Sequence, residues 1–324
     1  MKLLCGFDIG GTKCAVVLGR VENDDVKLVE KVKFPTCRTS EETISALAES
    51  LDALLRKYPE DELAAIGISC GGPLDSRRGR ILSPPNLPGW DDVDVFTPFV
   101  ERFQVPIGLQ NDANACALAE WRWGAGRGTN HMVFLTFGTG MGAGLILNGR
   151  LYSGANDMAG EVGHVRLAED GPEGYGKAGS FEGFCSGGGI EREAKRRARE
   201  RFAQGGITSF CSNEAEIDAI TAERVAKAAI AGDALALDIF DDVGHYLGRG
   251  LALLIDILNP ERIVIGSIYA RQQALLDPVM LPVLREECLG LSRSVCEIVP
   301  AGLGEHVGDF ASLSVAAYAV DAND

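Results

Sequence analysis

The sequence lacks the features that mark secreted, membrane and nucleic-acid-binding proteins. No segment approaches the ~20 apolar residues of a membrane span, and the apolar run at the N-terminus stops at Asp8, too early for a signal peptide. The nine cysteines are scattered over 324 residues without C-x-x-C spacing. The net charge of −15 would repel a nucleic acid duplex. We therefore expect a cytoplasmic protein with reduced thiols that binds neither membranes nor nucleic acids.

One dense basic segment stands against this acidic balance. In residues 191–202, EREAKRRARERF, acidic residues flank and interrupt the basic ones at helical spacing. This pattern favours a solvated helix face over a surface for polyanions.

The length predicts two lobes, because 324 residues exceed the size at which a single core usually stops growing. The composition, 46% hydrophobic and 24% charged, is typical of globular proteins. Helical patterns at 40–58 and on both sides of Gly232 alternate with apolar strand patterns at 63–73 and 262–267. This alternation predicts an α/β fold with mixed sheets.

Two glycine-rich segments resemble each other. LLCGFDIGGTKCAVVLG (3–19) and MVFLTFGTGMGAGLILNG (132–149) each consist of two apolar strands joined by a turn that contains glycine and threonine. Each is typical of a β-hairpin whose turn offers backbone N–H groups and a hydroxyl to a phosphate. One such hairpin is weak evidence, but two in equivalent positions of two halves predict a nucleotide site.

The segment NDANACALAE (111–120) places Asn111 and Asp112 at the predicted start of a helix. Asp112 has two interpretations. It could cap the first helical turn, as aspartate often does, or it could be a catalytic base at a strand-to-helix corner.

Six blocks of this sequence together resemble the ROK family of sugar kinases. They cover nearly the whole chain and occur in the family's order: DIGGTK (8–13), GGP (71–73), SPPNLPGW (83–90), NDANACALAE (111–120), TFGTGMGAG (136–144) and EVGH (161–164). The resemblance implies the two-lobed actin-like ATPase (ribonuclease H-like) fold with duplicated mixed sheets and a cleft. We expect a smaller lobe from 1–112 plus a closing helix at about 308–324, and a larger lobe from 113–307.

The resemblance also implies an ATP-dependent hexose kinase, glucokinase-like and acting at the 6-position, that needs Mg²⁺ and forms a homodimer. Asp112 would be the general base, and Asp8 would orient Mg²⁺ through water. The expected ATP-binding residues are Gly10, Gly11, Thr12, Lys13, Thr139, Gly140 and Gly266. The expected sugar-binding residues are Gly72, Asn86, Asn111, Asp112, Glu161, His164 and Glu182.

Three of these residues keep a structural alternative. Lys13 could be a solvated turn lysine, Gly266 could merely end a strand, and Asn86 could serve only a turn. The identity of the sugar is left open, because related kinases for glucose, fructose, allose and N-acetylmannosamine share much of this set.

The chain departs from the family in two places. Most members carry C-x-C-G-x-x-G-C-x-E after the histidine of the EVGH block, and its three thiolates complete a zinc site. Here Glu173, Tyr175 and Ser180 stand at the cysteine positions, so we predict no structural zinc. In the closing segment, Ser312 and Ser314 alter the usual glycine-alanine pattern, although we expect the helix to pack on the N-terminal lobe.

Two other function classes are considered. Some family members are sugar-responsive transcriptional regulators with an N-terminal helix-turn-helix domain, which the early DIGGTK hairpin and the acidic charge disfavour. The other class is a sugar-binding protein without catalysis, which Asp112 and the two phosphate hairpins disfavour.

Overall fold

The computed structural model describes residues 1–23 and 25–321. In chain order, the strands are β1 (Lys2–Ile9), β2 (Lys13–Glu22), β3 (Asp25–Pro35), β4 (Glu62–Cys70), β5 (Leu74–Asp75), β6 (Arg80–Ile81), β7 (Val93–Asp94), β8 (Ile107–Asn111), β9 (Met132–Phe137), β10 (Met141–Leu147), β11 (Arg150–Leu151), β12 (Glu173–Gly174), β13 (Lys177–Ala178), β14 (Arg262–Ile265) and β15 (Glu297–Pro300). The helices are α1 (Ser40–Leu55), α2 (Thr97–Phe103), α3 (Asp112–Trp123), α4 (Phe181–Phe184), α5 (Gly187–Ala203), α6 (Ala222–Ile230), α7 (Ala234–Leu258), α8 (Ile268–Glu287), α9 (Gly290–Ser294) and α10 (Val307–Asp321). Short 3₁₀ helices cover Val162–His164, Glu214–Ala219 and Gly304–His306.

Two five-stranded sheets share one plan. Their strand orders are β3-β2-β1-β4-β8 and β11-β10-β9-β14-β15. In the first, β1 pairs antiparallel with β2 and parallel with β4, and β4 pairs parallel with β8. In the second, β10 pairs antiparallel with β11, and β14 pairs parallel with β15. The α/β class with duplicated mixed sheets is therefore confirmed.

The described chain divides into two compact units. The first contains Met1–Phe134, Gly144–Ala159 and the C-terminal segment from Gly302, and the second contains Leu135–Ala143 and Gly160–Ala301. The lobe boundaries expected from the resemblance, at 112 and about 308, remain a prediction. Within the described residues, no helix combines the length and apolarity that a membrane span requires.

Helix α10 packs closely on one face of the first sheet, in agreement with the expectation for the closing segment. Gly6, Gly67 and Gly108 lie side by side on β1, β4 and β8. A side chain at Gly67 would place its Cβ 2.1 Å from the carbonyl oxygen of Ser312. The row of glycines thus lets the helix backbone approach the sheet, and the hydroxyl of Ser314 donates to the carbonyl of Ala115 at 3.0 Å.

Most elements predicted from the sequence are present, with shifted ends. Helix α1 begins with a cap at Thr39, whose hydroxyl accepts from the Glu42 N–H, and it ends at Leu55 rather than at 58. The strand predicted at 63–73 is β4 and ends at Cys70, and the strand predicted at 262–267 ends at Ile265. The helix pair broken near Gly232 is α6 and α7.

The basic segment 191–202 lies within α5, as predicted for a helix face. Arg196 pairs with Glu193 and Glu200 at 2.6 Å, one turn to either side. Arg197 pairs with Glu193 at 2.6 Å as well. These two arginines therefore have acidic partners on their own helix.

Candidate active site

The first glycine turn, predicted to bind phosphate, joins β1 to β2 at residues Gly10–Lys13. The Gly10 N–H donates to the Lys13 carbonyl at 3.2 Å, and the Thr36 hydroxyl donates to the Gly10 carbonyl at 2.5 Å. These bonds fix the turn from inside and from β3. A Cβ at Gly11 would lie 2.1 Å from the carbonyl oxygen of Asn86, so only glycine allows this approach.

Asn86 lies between this turn and the GGP block. Its backbone contacts Gly11, and its side-chain oxygen would lie 2.9 Å from a Cβ at Gly71. The segment also contains a turn, in which the Leu87 N–H donates to the Pro84 carbonyl at 2.9 Å. Asn86 therefore lies in a turn and is also exposed. Gly72, which follows Gly71, is exposed as well.

The start of α3 separates the two functions considered for Asp112. Asn111 caps the helix, because its side-chain oxygen accepts from the Asn114 N–H at 2.8 Å. Asp112 is the first helical residue, and its carboxylate accepts a hydrogen bond from the Ser69 hydroxyl at 3.1 Å. Ser69 is buried near the end of β4, and Asp112 follows the end of β8. Two adjacent parallel strands thus position this carboxylate.

Two carboxylates of this unit have raised pKa values. Burial and, after it, the nearby Asp112 carboxylate raise the pKa of Asp8 from its ordinary value of 3.8 to about 6, whereas Lys31, Lys13 and Lys33 act against the shift. Burial also raises the pKa of Asp112, although the hydrogen bond from Ser69 opposes this. The Asp112 side chain still reaches solvent, so it is both accessible and partly desolvated. Such an environment favours a proton acceptor.

The second unit brings together a second glycine turn and three of the predicted sugar residues. Glu182 accepts from the Met141 N–H at 3.0 Å, and a Cβ at Gly140 would lie 2.8 Å from its carboxylate. Burial raises the pKa of Glu161, the charge of Glu182 adds to the shift, and His164 opposes it. The carboxylates of Glu161 and Glu182 and the imidazole of His164 therefore share one region beside the turn at Thr139.

Sequence reasoning missed the residues that support this second turn. The N–H groups of Gly187 and Gly188, at the start of α5, donate to the carbonyls of Gly138 and Thr139 at 2.7 and 3.1 Å. Ser186 caps the same helix by accepting from the Gly189 N–H at 2.9 Å. The run SGGG at residues 186–189 was the sequence signal that could have indicated these supporting residues.

Gly266 directly follows β14. Its N–H donates to the Leu135 carbonyl at 3.0 Å. The next residue, Ser267, has φ 50°, which is unusual for a residue other than glycine, and its hydroxyl would lie 3.8 Å from a Cβ at Gly138. A role of Gly266 toward the nucleotide stays a prediction.

Residues 4–317 match the ROK family. This chain belongs to the ROK family. It is 33% identical over 286 residues to a glucokinase of Halalkalibacterium halodurans, which covers 85% of this chain and 83% of that relative.

Other ROK proteins of different function are similar too. The structure of a ROK family glucokinase from Streptomyces griseus in complex with glucose and AMPPNP superimposes with a TM-score of 0.72 at 29% identity, covering 98% of this chain and 99% of that one. A xylose repressor of Caldicellulosiruptor bescii is 29% identical, over 82% of this chain and 65% of that relative. The actin-like ATPase fold is thus confirmed, and both kinases and regulators of the family are relatives.

The loop that carries zinc in most ROK proteins is held here by other contacts. Ser180 caps α4 by accepting from the Gly183 N–H at 3.1 Å, and its hydroxyl donates to the Gly174 carbonyl at 3.4 Å. The Tyr175 ring packs edge-on against the His164 ring, with centroids 6.4 Å apart. Arg192 donates to the Glu173 carbonyl at 2.6 Å. Each residue at a cysteine position of the zinc motif therefore has another contact.

Cys185, the cysteine near this loop, is buried in the second unit. Its thiol donates to the Val243 carbonyl at 3.5 Å, and burial raises its pKa well above the usual value, which opposes thiolate formation. Among the residues that the structure describes, no group of three or more histidine, cysteine and acidic side chains could hold a metal. The absence of structural zinc remains a prediction for metal analysis.

Proposed function

We propose that this protein is an ATP-dependent hexose kinase that phosphorylates a sugar hydroxyl, at the 6-position as expected for a glucokinase-like enzyme. The observation that carries the proposal is the separation of tasks at the start of α3. Asn111 caps the helix at 2.8 Å, which leaves the carboxylate of Asp112 available for proton transfer. Similarity to glucokinases supports the choice of reaction.

Asp112 would act as the general base. The sugar hydroxyl loses its proton to this carboxylate while its oxygen attacks the γ-phosphorus of ATP, and the bond to the β-phosphate oxygen breaks. The raised pKa of Asp112 makes it a stronger base than an exposed aspartate, and the Ser69 hydroxyl orients one of its oxygens. The amide N–H groups of Asn111 can donate to a neighbouring sugar hydroxyl, since the amide oxygen is engaged in the cap.

The turn at Gly10–Lys13 would bind the nucleotide phosphates through backbone N–H groups, the Thr12 hydroxyl and the Lys13 ammonium, and Thr139 and Gly140 would act in the same way. Asp8 fits a place near Mg²⁺, because a cation would relieve the repulsion between its carboxylate and that of Asp112. Mg²⁺ keeps most of its waters and binds through one or two carboxylates plus phosphates. Held there through water, it would supply positive charge to the phosphates.

The residues proposed to bind the sugar hydroxyls are Gly72, Asn86, Glu161, His164 and Glu182. Carboxylates accept from hydroxyls, and a neutral imidazole either donates or accepts. The hydrogen bond that the Glu182 carboxylate accepts from the Met141 N–H at 3.0 Å orients that carboxylate. Two copies of the chain, expected as a homodimer, are part of the proposal and can be tested by light scattering.

A coupled assay of ADP release tests the proposal. Glucose, mannose, fructose, allose and N-acetylmannosamine are each offered with ATP and Mg²⁺, and we expect sugar-dependent ADP release with at least one of them. Asp112→Asn, purified in parallel, should remove that release. Wild-type protein that binds a sugar yet releases no ADP with any of them would refute the kinase.

A sugar-responsive regulator is the second candidate, because a xylose repressor is among the relatives. A regulator needs sugar binding but neither a base nor phosphate turns. Sugar binding by calorimetry without ADP release would favour this class, or a sugar-binding protein without catalysis. A DNA-binding assay with the full chain then separates these two.

A further inference from the structure

Two lysines of β3 lie beside the first phosphate turn on the face of the sheet that carries Asp8. Asp8 is directly opposite Ala15 on β2, and Ala15 is directly opposite Lys33 on β3. Directly opposite residues project to the same face. The residue between Asp8 and Lys33 in this row, Ala15, is buried and carries only a methyl group. Lys31, two residues from Lys33, projects to the same face.

Lys31 is held by an acidic residue of the closing helix. Its ammonium group forms an ion pair with Asp309 in the first turn of α10. The two side chains are only 22% and 19% exposed, so both are largely covered by protein. The ion pair therefore fixes the position of Lys31, because the protein around both side chains leaves them little room to move.

Lys31 and Lys33 are next-but-one neighbours on the same face of β3, so the charge of one acts on the other. Burial and, after it, the adjacent charge of Lys33 lower the pKa of Lys31 to about 8, whereas Asp8 acts in the opposite direction. Like charges repel each other. An anion that contacts both groups would remove this repulsion.

The same lysines also lie near the carboxylate of Asp8. The charges of Lys13, Lys31 and Lys33 all act on the carboxylate of Asp8. Asp8 lies two residues before Gly10, the first residue of the turn. A purely structural role accounts for Lys31, since it fastens α10 to the sheet. It does not account for Lys33, which is exposed. Asp309 already compensates the charge of Lys31, so Lys33 adds a second positive charge.

We propose that Lys33 and Lys31 bind the terminal phosphates of the nucleoside triphosphate beside the Gly10–Lys13 turn, with Asp309 holding Lys31 in position. This inference rests on the proposed kinase function and adds a binding contact on β3 to it. Ammonium groups suit phosphate oxygens, and charge-assisted hydrogen bonds are among the stronger ones. Neither lysine lies within a glycine-rich motif, and only the sheet brings them to the turn.

The test compares nucleotide binding by Lys33→Gln, Lys31→Gln and the control Lys27→Gln. Lys27 is an exposed lysine of the same strand, opposite Arg20 and far along β3 from the turn. Calorimetry with MgATP, MgADP, AMP and inorganic phosphate, without sugar, gives the dissociation constants. We expect MgATP to bind about tenfold more weakly to both β3 variants, as for loss of a charge-assisted hydrogen bond, and normally to the control.

The pattern across ligands identifies the part of the nucleotide that is bound. AMP should bind the Lys33→Gln variant as it binds the wild type, because it lacks the terminal phosphates, and Lys33→Arg should restore most of the MgATP affinity. An equal loss for AMP and MgATP, or MgATP dissociation constants within twofold of wild type in both variants, would overturn the proposal. Weakening of inorganic phosphate alone, with MgATP unchanged, would overturn it as well, since the lysines would then form a site for free phosphate.

The binding measurement also separates this inference from the kinase proposal. If the wild type binds MgATP but phosphorylates no sugar, the kinase assignment fails. The MgATP dissociation constants of the lysine variants then still test the lysine contact. If the wild type does not bind MgATP, both fail. Should Lys31→Gln loosen α10 and unfold, the exposed Lys33 still decides the result.

Discussion

Asn111, rather than Asp112, accepts the hydrogen bond that caps α3, from the Asn114 N–H at 2.8 Å. The adjacent carboxylate of Asp112 instead faces the Ser69 hydroxyl at 3.1 Å. The carboxylate of a capping aspartate would accept hydrogen bonds from the N–H groups of the first helical turn. Since asparagine performs that task, a capping requirement does not explain the carboxylate at 112.

Replacing Asp112 by Asn should lower kcat by ~10²–10⁴, because the base would be lost while the shape of the side chain is kept. Sugar binding, measured by calorimetry, should stay within about tenfold of wild type. Asp238→Asn, at an exposed position of α7, serves as the control and should turn over normally. Near-normal turnover of Asp112→Asn would show that another group accepts the proton.

Replacing Glu161 by Gln should raise the KM for the sugar about tenfold and leave the KM for ATP near wild type, since a carboxylate that accepts from two hydroxyls becomes an amide with one acceptor. Glu182→Gln should affect both constants, because Glu182 also accepts from the Met141 N–H next to Gly140. Initial rates at varied sugar and ATP give the two constants. Equal changes of both constants in Glu161→Gln would exclude a sugar role.

Asp8 should destabilise the folded protein at neutral pH. Its pKa is about 6 when folded and 3.8 ordinarily, so between these values the folded state holds a proton that the unfolded state has released. The free energy of unfolding then falls as pH rises from about 4 to 6. Asp8→Asn should therefore be more stable than wild type by about 3 kcal/mol at pH 7, with a smaller difference at pH 4.

Denaturant unfolding of wild type and Asp8→Asn at both pH values measures this difference. The same variant should lose kinase activity, because the carboxylate that would accompany Mg²⁺ is gone. A difference in stability that does not change with pH would contradict the raised pKa of Asp8.

Metal analysis of protein purified without an affinity tag should find well under one zinc per chain. Glu173, Tyr175 and Ser180 stand at the positions of the family's thiolates, and hydrogen bonds and packing hold this loop instead. Activity should survive a zinc-selective chelator in excess Mg²⁺. About one tightly bound zinc per chain, with loss of folding on its removal, would make Cys185 the first ligand to reconsider.

Gly67→Ala should destabilise the protein by about 3 kcal/mol, as overpacking of a tight contact does. The added Cβ would lie 2.1 Å from the Ser312 carbonyl and 2.2 Å from the Ala316 nitrogen. Gly290→Ala, where a Cβ would meet nothing within 4 Å, is the matched control. Equal stability of the two variants in denaturant would show that α10 does not pack on β4 as closely as this geometry requires.

Much of the fold could be predicted from the sequence, because its signals are local. The alternation of apolar strands and helical periods predicted β1, β4, α7 and the rest of the α/β architecture, and the glycine turns predicted both hairpins. The ends of the helices and strands were less certain, since neighbouring residues such as Thr39 and Ser40 differ little in their propensity to cap a helix. The residues at candidate site positions were found through motifs, but their roles remain predictions.

By itself, the sequence determined the ROK family, the two glycine turns and the carboxylate at 112, because each depends on residues that are adjacent in the chain. Only the tertiary structure decided which asparagine caps α3, that Ser69 orients Asp112, and that Lys31 and Lys33 lie beside the phosphate turn. Those relations join β1, β3, β4, β8 and α10, elements that are far apart in sequence. Strand pairing and helix packing fix such distances, and no local pattern encodes them.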